Sequence, residues 1–232
     1  MALSKREVDR AGEVLRAAAS RAGVGEAVLA AAIETAEQFR IGHAPTLELS
    51  VRDLQVVSAD LSAPSEVGRR LKRLSTIEGK LIREPKLKLS SMRDIAGCRL
   101  VVPSLADLAQ AHERLQSIMA GEVLKIIDYV ANPRVSGYRG LHVIGRYDGL
   151  QVEFQLRTQL MHRWAQISEA VQAIELRERP DLMDGDTAEW LREYSQVLAY
   201  RDRGETLPPE VGDRVRAVPD GVLDALLDEG RR

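Results

Sequence analysis

The fold is decided by residues 141–158, whose sequence is LHVIGRYDGLQVEFQLRT. Asp148-Gly149 lies between two runs of β-forming residues, a strong signal for a hairpin with a two-residue turn. In the second arm apolar residues alternate with polar ones, namely Val152, Phe154 and Leu156 with Gln151, Glu153, Gln155 and Arg157. Because successive side chains of a strand point to opposite faces of a sheet, we expect one face of this hairpin to be buried and the other to be polar.

Hydrophobic periodicity and turn residues predict the elements around the hairpin. Upstream they are helices within residues 5–40, a break at 43–45, a short element that begins at 54–57, a strand over 66–72, a helix over 75–83, a strand over 98–102, a helix over 104–119 and a strand over 123–130. Downstream they are a long helix capped by Thr158, a helix over 186–201, and a charged tail with a short helix over 221–227. Ser75 and Glu78 have the spacing of a capping box.

The composition is that of an ordinary globular protein, with 232 residues, 44% hydrophobic and 29% charged. Cys98 is the only cysteine, so no intrachain disulfide can form and a reducing compartment is expected. The N-terminus has no apolar run behind its charges, and no stretch approaches the length that spans a bilayer. We therefore expect a cytoplasmic protein without a membrane association.

Charge is unevenly distributed along the chain, although the formal net charge is only −2. Residues 69–99 contain ten Lys/Arg and three Asp/Glu, whereas residues 181–232 contain thirteen acidic and seven basic residues. A basic segment in a nearly neutral protein favours a site for a polyanion. Composition alone also allows a solvated charged face.

Familiar phosphate and metal motifs are absent from the sequence. Strands and helices alternate, but the chain has no GxxxxGKS/T, GxGxxG or HExxH, and none of its four histidines precedes an aspartate. These absences give no support to a P-loop, a Rossmann site or a metal hydrolase.

Two carboxylates and one aromatic loop are the candidate chemical groups. Asp94 immediately precedes the predicted strand over 98–102, and Glu153 lies on the polar face of the hairpin. Carboxylates on neighbouring strands can bind Mg²⁺, although a turn cap and a solvated side chain are their ordinary alternatives. Tyr138, on a glycine-flanked loop before His142, is a candidate platform for stacking a base. The alternative for Tyr138 is a ring that covers a sheet edge with its hydroxyl in water.

Five motifs occur in a fixed order: Arg70-Leu71-Lys72 with Lys80, residues 94–99 (DIAGCR), residues 137–142 (GYRGLH), residues 152–158 (VEFQLRT), and Trp164-Ala165. In this order and spacing they resemble the synthetase domain of the RelA/SpoT family, which includes the small alarmone synthetases. The resemblance covers about residues 36–200. It implies an α/β fold, with a mixed sheet of about five strands flanked by helices, of the nucleotidyltransferase-like type. We expect a helical extension over 1–50, the synthetase domain over 51–180, and a C-terminal helix and charged tail over 181–232.

The resemblance implies an ATP-dependent pyrophosphotransferase of the GTP pyrophosphokinase type. It assigns Arg70 and Arg99 to the adenine of ATP, held between their guanidinium planes, and Lys72 and Lys80 to the ATP phosphates. It assigns Asp94 and Glu153 to Mg²⁺ and catalysis, with Glu153 also accepting the proton of the attacking 3′-hydroxyl. On the acceptor side Tyr138 stacks on the base beside His142, and the other acceptor-side residues are Arg134, Gln155 and Arg157.

The departures from the family pattern fall on the acceptor side and the helix after it. Arg134, Ser136 and Gly140 stand where alarmone synthetases usually have Lys, Asn and Ser, and Ser168-Glu169 stands where Glu-His usually follows the Trp-Ala pair. Together with residues 39–45 (FRIGHAP), Gly140 and Glu169 resemble a subgroup that contains toxic small synthetases.

Three hypotheses follow. The first is synthesis of (p)ppGpp from ATP and GDP or GTP. The second is a toxin that pyrophosphorylates the 3′ end of tRNA, for which Arg83, Lys86, Lys88 and Arg93 are candidate backbone contacts and a separate protein antitoxin is the expected partner. The third is a degenerate nucleotide-binding module, which the retained carboxylates and the Tyr138 loop argue against. Oligomeric state is open.

Overall fold

The computed structural model describes residues 3–20, 23–119, 122–178, 185–219 and 222–223. Its helices are α1 (Lys5–Ala19), α2 (Glu26–Ile41), α3 (Ala44–Asp60), α4 (Leu74–Arg83), α5 (Leu105–Ile118), α6 (Gln159–Glu178), α7 (Gly185–Asp202) and α8 (Pro209–Asp213), with one 3₁₀ turn at Leu89–Ser91. Its strands are β1 (Glu66–Leu71), β2 (Ala96–Val102), β3 (Val123–Asp128), β4 (Leu141–Tyr147) and β5 (Leu150–Thr158).

The five strands form one mixed sheet in the order β1-β2-β5-β4-β3, so the predicted α/β fold class is confirmed. β2 runs parallel to β5, and every other neighbouring pair is antiparallel. The predicted hairpin joins β4 to β5 through Asp148 and Gly149, whose φ angles are 48° and 83°. Both residues therefore have the positive φ that a tight hairpin turn requires.

The apolar face of the sheet is covered by α3 and α5. Val152, Phe154 and Leu156 are fully buried there, as the alternation predicts, and they share one core with Leu54 of α3 and Leu115 of α5. Because these helices fill one side of the sheet, the polar side chains of β5 face the other side, where the candidate site lies.

The N-terminal helices support α4, the helix that carries Lys80. Val8 and Leu15 of α1 pack with Ile77 and Leu81 of α4 in a second apolar cluster. Arg16 of α1 adds hydrogen bonds from its guanidinium to the backbone carbonyls of Leu81, at 2.9 Å, and Leu87, at 2.6 Å. These contacts fix α4 against the rest of the molecule.

Helix α3 corrects two predictions at once. The break at 43–45 is only the two-residue join between α2 and α3, and the element predicted to begin at 54–57 is the second half of α3. Pro45 stands in the first turn, where a missing N–H costs no helical hydrogen bond, so it starts the helix and does not end it. α3 also runs through residue 50, and the division at 1–50, 51–180 and 181–232 stays a prediction.

The predicted capping box at Ser75 is also wrong. α4 begins one residue earlier, at Leu74, with Arg73 as the N-cap and no side-chain hydrogen bond at the cap. Ser75 therefore lies inside the first turn. By contrast, Ser104 caps α5 through the backbone N–H of Asp107, and Thr158 caps α6 through that of Met161 at 3.2 Å.

The segment after α7 is more ordered than the predicted tail. Val211 of α8 is buried, and the Trp190 indole of α7 donates a hydrogen bond to the Val215 carbonyl at 3.2 Å. Of the helix predicted over 221–227, the structure describes only residues 222–223, which are helical, and the remainder lies outside the described residues. Among the helices described here, none is long and apolar enough to cross a membrane.

Cys98 provides a test of the core. The side chain is 2% exposed, and burial raises the pKa of its thiol to about 12. Because the thiolate is the reactive form, we expect native protein to react with a thiol-specific disulfide reagent at neutral pH far more slowly than a free thiol does. Absorbance of the released thiolate measures the reaction. In guanidinium chloride one equivalent should react at once, and a fast native reaction would contradict the buried position.

Candidate active site

All eleven residues predicted from the sequence line one cavity of about 510 Å³ on the polar face of the sheet. They come from β1 and its end (Arg70, Lys72), α4 (Lys80), the start and middle of β2 (Asp94, Arg99), the loop before β4 (Arg134, Tyr138), β4 (His142) and β5 (Glu153, Gln155, Arg157). The structure thus brings them together, while the role of each stays a prediction.

Asp94 is held by two lysines at one end of the cavity. Its two carboxylate oxygens accept one hydrogen bond each, from Nζ of Lys72 and from Nζ of Lys80, both at 2.9 Å. Burial works to raise the pKa of Asp94, but the two ammonium groups outweigh it and leave the pKa below its ordinary value. Asp94 is therefore ionised at neutral pH, and it positions the ammonium groups of Lys72 and Lys80 beside the cavity.

Glu153 is held by the side chains of His142 and Gln155. Its Oε1 accepts from Nδ1 of His142 at 3.0 Å, and its Oε2 accepts from the Gln155 amide at 2.7 Å. Burial again works to raise the pKa of Glu153, and so does the charge of Asp94. The hydrogen bonds from His142 and Gln155 prevail and lower the pKa. Glu153 is therefore an anion at neutral pH.

These bonds belong to a closed circuit of five side chains. The Tyr138 hydroxyl lies 2.5 Å from Nε2 of His142 and accepts from Arg157 at 3.0 and 3.2 Å, and Arg157 also donates to Oε1 of Gln155 at 2.8 Å. Since the Tyr138 oxygen already accepts two bonds, its proton points to His142, which then carries its own proton on Nδ1. The circuit therefore links Glu153 to the loop that carries Tyr138.

Arg99 carries a buried donor with no partner in the described part of the chain. Its Nε makes no hydrogen bond, and its guanidinium lies over Gly68 of β1, where a Cβ would stand 3.1 Å from Nη2. Burial and then the charge of Arg157 lower the pKa of Arg99. Arg70 is exposed at the rim. A ligand that accepts hydrogen bonds or offers a π face would relieve the unmet donor of Arg99.

The carboxylates fit a metal only together with a ligand. Asp94 and Glu153 line the same cavity, and both offer the oxygen donors that Mg²⁺ prefers. Among the described residues no group of three or more His, Cys, Asp or Glu is arranged to hold a metal. Two carboxylates are enough where phosphate oxygens and water complete the coordination, as is usual for Mg²⁺ bound with a nucleotide.

Tyr138 does not send its hydroxyl into water, so that alternative is wrong. The ring is half-buried, and it makes edge contacts with Tyr129, His142 and Trp164 at centroid distances of 5.8, 5.5 and 6.2 Å. The guanidinium of Arg134 lies 4.5 Å from the ring centre of Tyr129 and 5.7 Å from that of Tyr138. The loop thus presents an aromatic and cationic wall to the cavity.

Sequence reasoning missed part of the wall formed by α6. Ser168, Glu169 and Gln172 line the cavity, although a polar stripe through Glu169 is typical of a solvated helix face. Trp164 is buried and its indole donates to the Leu191 carbonyl at 2.7 Å, and the side chain also lines the cavity. The helical spacing of Trp164, Ser168 and Gln172 was the available signal.

Known proteins share this sequence pattern and fold. A family model described as a region found in RelA/SpoT proteins matches residues 69–173. GTP pyrophosphokinase YjbM of Bacillus subtilis is 30% identical over 131 residues, which cover 52% of this chain and 62% of YjbM. The probable chloroplastic GTP diphosphokinase RSH2 of Arabidopsis thaliana is 34% identical over 98 residues, which are 42% of this chain but only 14% of that protein.

A solved structure of small alarmone synthetase 1 from Bacillus subtilis, bound to its product pppGpp, superimposes with a TM-score of 0.64 at 23% identity. The superposition covers 78% of this chain and 98% of the synthetase chain. At 23% sequence identity it shows that the two folds are similar and nothing further. Residues 69–173 thus match the region that RelA/SpoT proteins share, and the fold is that of a small alarmone synthetase.

Proposed function

We propose that this protein transfers the β,γ-pyrophosphate of ATP to the ribose 3′-hydroxyl of GDP or GTP, which makes (p)ppGpp. The observation that carries the proposal is the division of one cavity into two ends. Asp94 with Lys72 and Lys80 forms a cationic end suited to phosphates, and Glu153 with the Tyr138 loop forms an end suited to an acceptor. The GTP pyrophosphokinase relatives support this choice of acceptor.

The reaction forms one bond and breaks one. The 3′-oxygen attacks the β-phosphorus of ATP, the bond from that phosphorus to the α-phosphate oxygen breaks, and AMP leaves. Glu153 is an ionised carboxylate with two fixed hydrogen bonds, and so it is placed to accept the hydroxyl proton. Lys72 and Lys80 exchange their contacts with Asp94 for the phosphate oxygens, where negative charge develops.

We assign Mg²⁺ to Asp94 and Glu153. The ion would supply a further positive charge to the transferred phosphates. On the ATP side, the unpartnered Nε of Arg99 and the exposed Arg70 support the assignment of these two residues to adenine. We place the reaction in the cytoplasm, where the proposed nucleotides are available.

A tRNA acceptor is the second candidate, and exposed cations favour it. Arg83 lines the cavity, and Lys86, Lys88 and Arg93 are exposed after it in the sequence. An acceptor strand that enters the cavity at this edge would meet these charges, which contact nucleic acid backbones in a salt-dependent way. A separate antitoxin would be the expected protein partner in that case.

The deciding experiment offers purified protein ATP labelled at the γ-phosphate, with Mg²⁺ and one acceptor at a time. GDP, GTP, AMP and deacylated tRNA are compared by chromatography, and release of AMP is followed in parallel. Label on GDP or GTP supports the proposed function. Label on tRNA alone would replace it with the tRNA-directed activity, and label on no acceptor would contradict both.

Tyr138→Ala separates the acceptor end from the ATP end. Because stacking a base on an aromatic ring contributes about 1–3 kcal/mol, we expect the KM for the acceptor to rise about tenfold or more and the KM for ATP to stay within about twofold. Initial rates with each substrate varied in turn measure both constants. Tyr138→Phe is the control, because it keeps the ring and removes only the hydroxyl. An equal rise in both KM values would contradict the stacking role.

A further inference from the structure

A second cavity, of about 410 Å³, lies between the loop before β4 and helix α7. The loop alternates between the two cavities: Ser136 and Tyr138 line the first, and Gly137 and Arg139 line the second. The loop is tied to α7 here, because the Ser195 hydroxyl donates to the Gly137 carbonyl at 2.5 Å. The second cavity therefore contacts the loop over residues 129–140, which we call the acceptor loop, on the side away from the first cavity. It does not include the groups assigned to catalysis.

Among the described residues, four arginines and no acidic residue line this second cavity, namely Arg134, Arg139, Arg192 and Arg203. The contacts that Arg134 and Arg139 make are to neutral groups, the Tyr129 hydroxyl at 2.9 Å, the Val130 carbonyl at 3.0 Å and the Ser195 hydroxyl at 3.3 Å.

Of the other two arginines, Arg192 has no ion pair with the described part of the chain. Arg203 pairs with Glu205 at 2.8 Å, and both side chains are exposed. Because Arg203 is the one arginine of the four with an ion pair among the described residues, the cavity keeps most of its positive charge.

The charge around Arg139 is only partly balanced. Burial and then the nearby charge of Arg203 lower the pKa of Arg139, whereas Asp202 acts in the opposite direction. Asp202 accepts a hydrogen bond from the Thr158 hydroxyl at 2.7 Å, and burial raises its own pKa. The positive charge of the arginines thus exceeds the negative charge of the one nearby carboxylate, and an incoming anion would balance it.

We propose that the second cavity binds a small anion bearing several phosphate groups, with Arg192 and Arg203 among its main contacts. Guanidinium groups present planar, paired donors that match phosphate oxygens, and arginines on a loop and a helix can surround a tetrahedral group. The volume lies within the range of small-molecule pockets, so a nucleotide or a short polyphosphate fits better than a single inorganic ion.

An anion in this cavity would act on the acceptor loop through Arg134, which lines both cavities and lies over Tyr129. A ligand held between α7 and the loop would restrain Gly137, whose φ is +93°, and with it the neighbouring Tyr138. This consequence rests on the proposed function: the anion should change the KM for the acceptor and leave the KM for ATP unchanged.

The test is calorimetric titration of the full chain with inorganic tripolyphosphate, which needs no enzymatic activity. We expect the unmodified protein to bind tripolyphosphate. The double variant Arg192→Ala/Arg203→Ala should bind it at least about tenfold more weakly, and Arg192→Ala alone should also bind it more weakly. Arg146→Ala removes an exposed arginine that lines neither cavity and should bind as the unmodified protein does. Thermal unfolding verifies the fold of each variant.

Lys80→Ala distinguishes the two cavities, because Lys80 lines only the first, where it is assigned to the ATP phosphates. Binding that weakens in Lys80→Ala and not in the double variant would place tripolyphosphate in the first cavity and overturn the proposal. Absence of binding to the unmodified protein would overturn it as well. Neither result depends on transfer of label, so failure of the proposed reaction is recognised separately.

Discussion

Glu153→Gln is expected to reduce pyrophosphate transfer about a thousandfold or more while the protein stays folded. The amide cannot accept the proton of the attacking hydroxyl, a role that commonly contributes 10² to 10⁴ in rate, and it removes one of the two anionic groups assigned to Mg²⁺. Transfer of label from ATP to GDP measures the effect. A rate near that of the unmodified enzyme would contradict both roles.

The structure adds a second expectation for Glu153→Gln. The new amide can keep an oxygen toward His142, but its NH₂ group then meets the NH₂ group of Gln155. Rotating the Gln155 amide would instead turn its NH₂ toward Arg157. One hydrogen bond of the circuit is lost in either case, which typically costs about 1 kcal/mol of stability. Glu169→Gln is the matched control, since Glu169 also lines the cavity but is exposed.

Asp94→Asn should likewise reduce transfer about a thousandfold, for a different reason. The carboxylate neutralises Lys72 and Lys80, and an amide can accept a hydrogen bond from only one of them while its NH₂ repels the other. Two largely buried ammonium groups would then face each other without a counter-ion, and the anionic group assigned to Mg²⁺ would be lost. Glu84→Gln, an exposed change at the same cavity, is the control.

The loss of stability caused by Asp94→Asn should be larger at neutral pH than in acid. The folded-state pKa of Asp94 is below its ordinary value, so the ion pairs stabilise the protein fully above the unfolded-state pKa, about 3.9. That contribution is lost as the pH falls through the folded-state pKa. The difference in unfolding free energy between the unmodified protein and Asp94→Asn should therefore be largest near neutral pH and should shrink in acid. Urea unfolding at several pH values measures it, and a difference independent of pH would contradict the ionised, paired Asp94.

Much of the fold and of the site's membership could be predicted because the signals are local. The alternation around Phe154 and the turn at Asp148-Gly149 identify the hairpin, and they also decide that Glu153 and Phe154 face opposite sides. The family resemblance carried by the ordered motifs predicts a set of site residues, and the structure brings these residues to one cavity.

What could not be predicted depends on contacts between distant parts of the chain. α3 was missed because Pro45 has the same local signature at a helix start as at a helix break, and only packing on the sheet distinguishes the two. The circuit through Arg157 and Gln155 is not encoded by spacing, since it requires the loop and β5 to meet. The second cavity joins the loop to α7, which no motif relates.

The parallel pairing of β2 with β5 has a consequence for biosynthesis. Asp94 precedes β2 and Glu153 lies on β5, 59 residues later, with the whole of α5, β3 and β4 between them. Parallel strands cannot pair until the second of them is available, and contacts so far apart in sequence form late. A nascent chain therefore lacks part of the cavity until β5 and α6 have left the ribosome, and a polypeptide that ends before Glu153 cannot consume ATP by this chemistry. Synthesis of β5 is thus required before the proposed enzyme becomes competent.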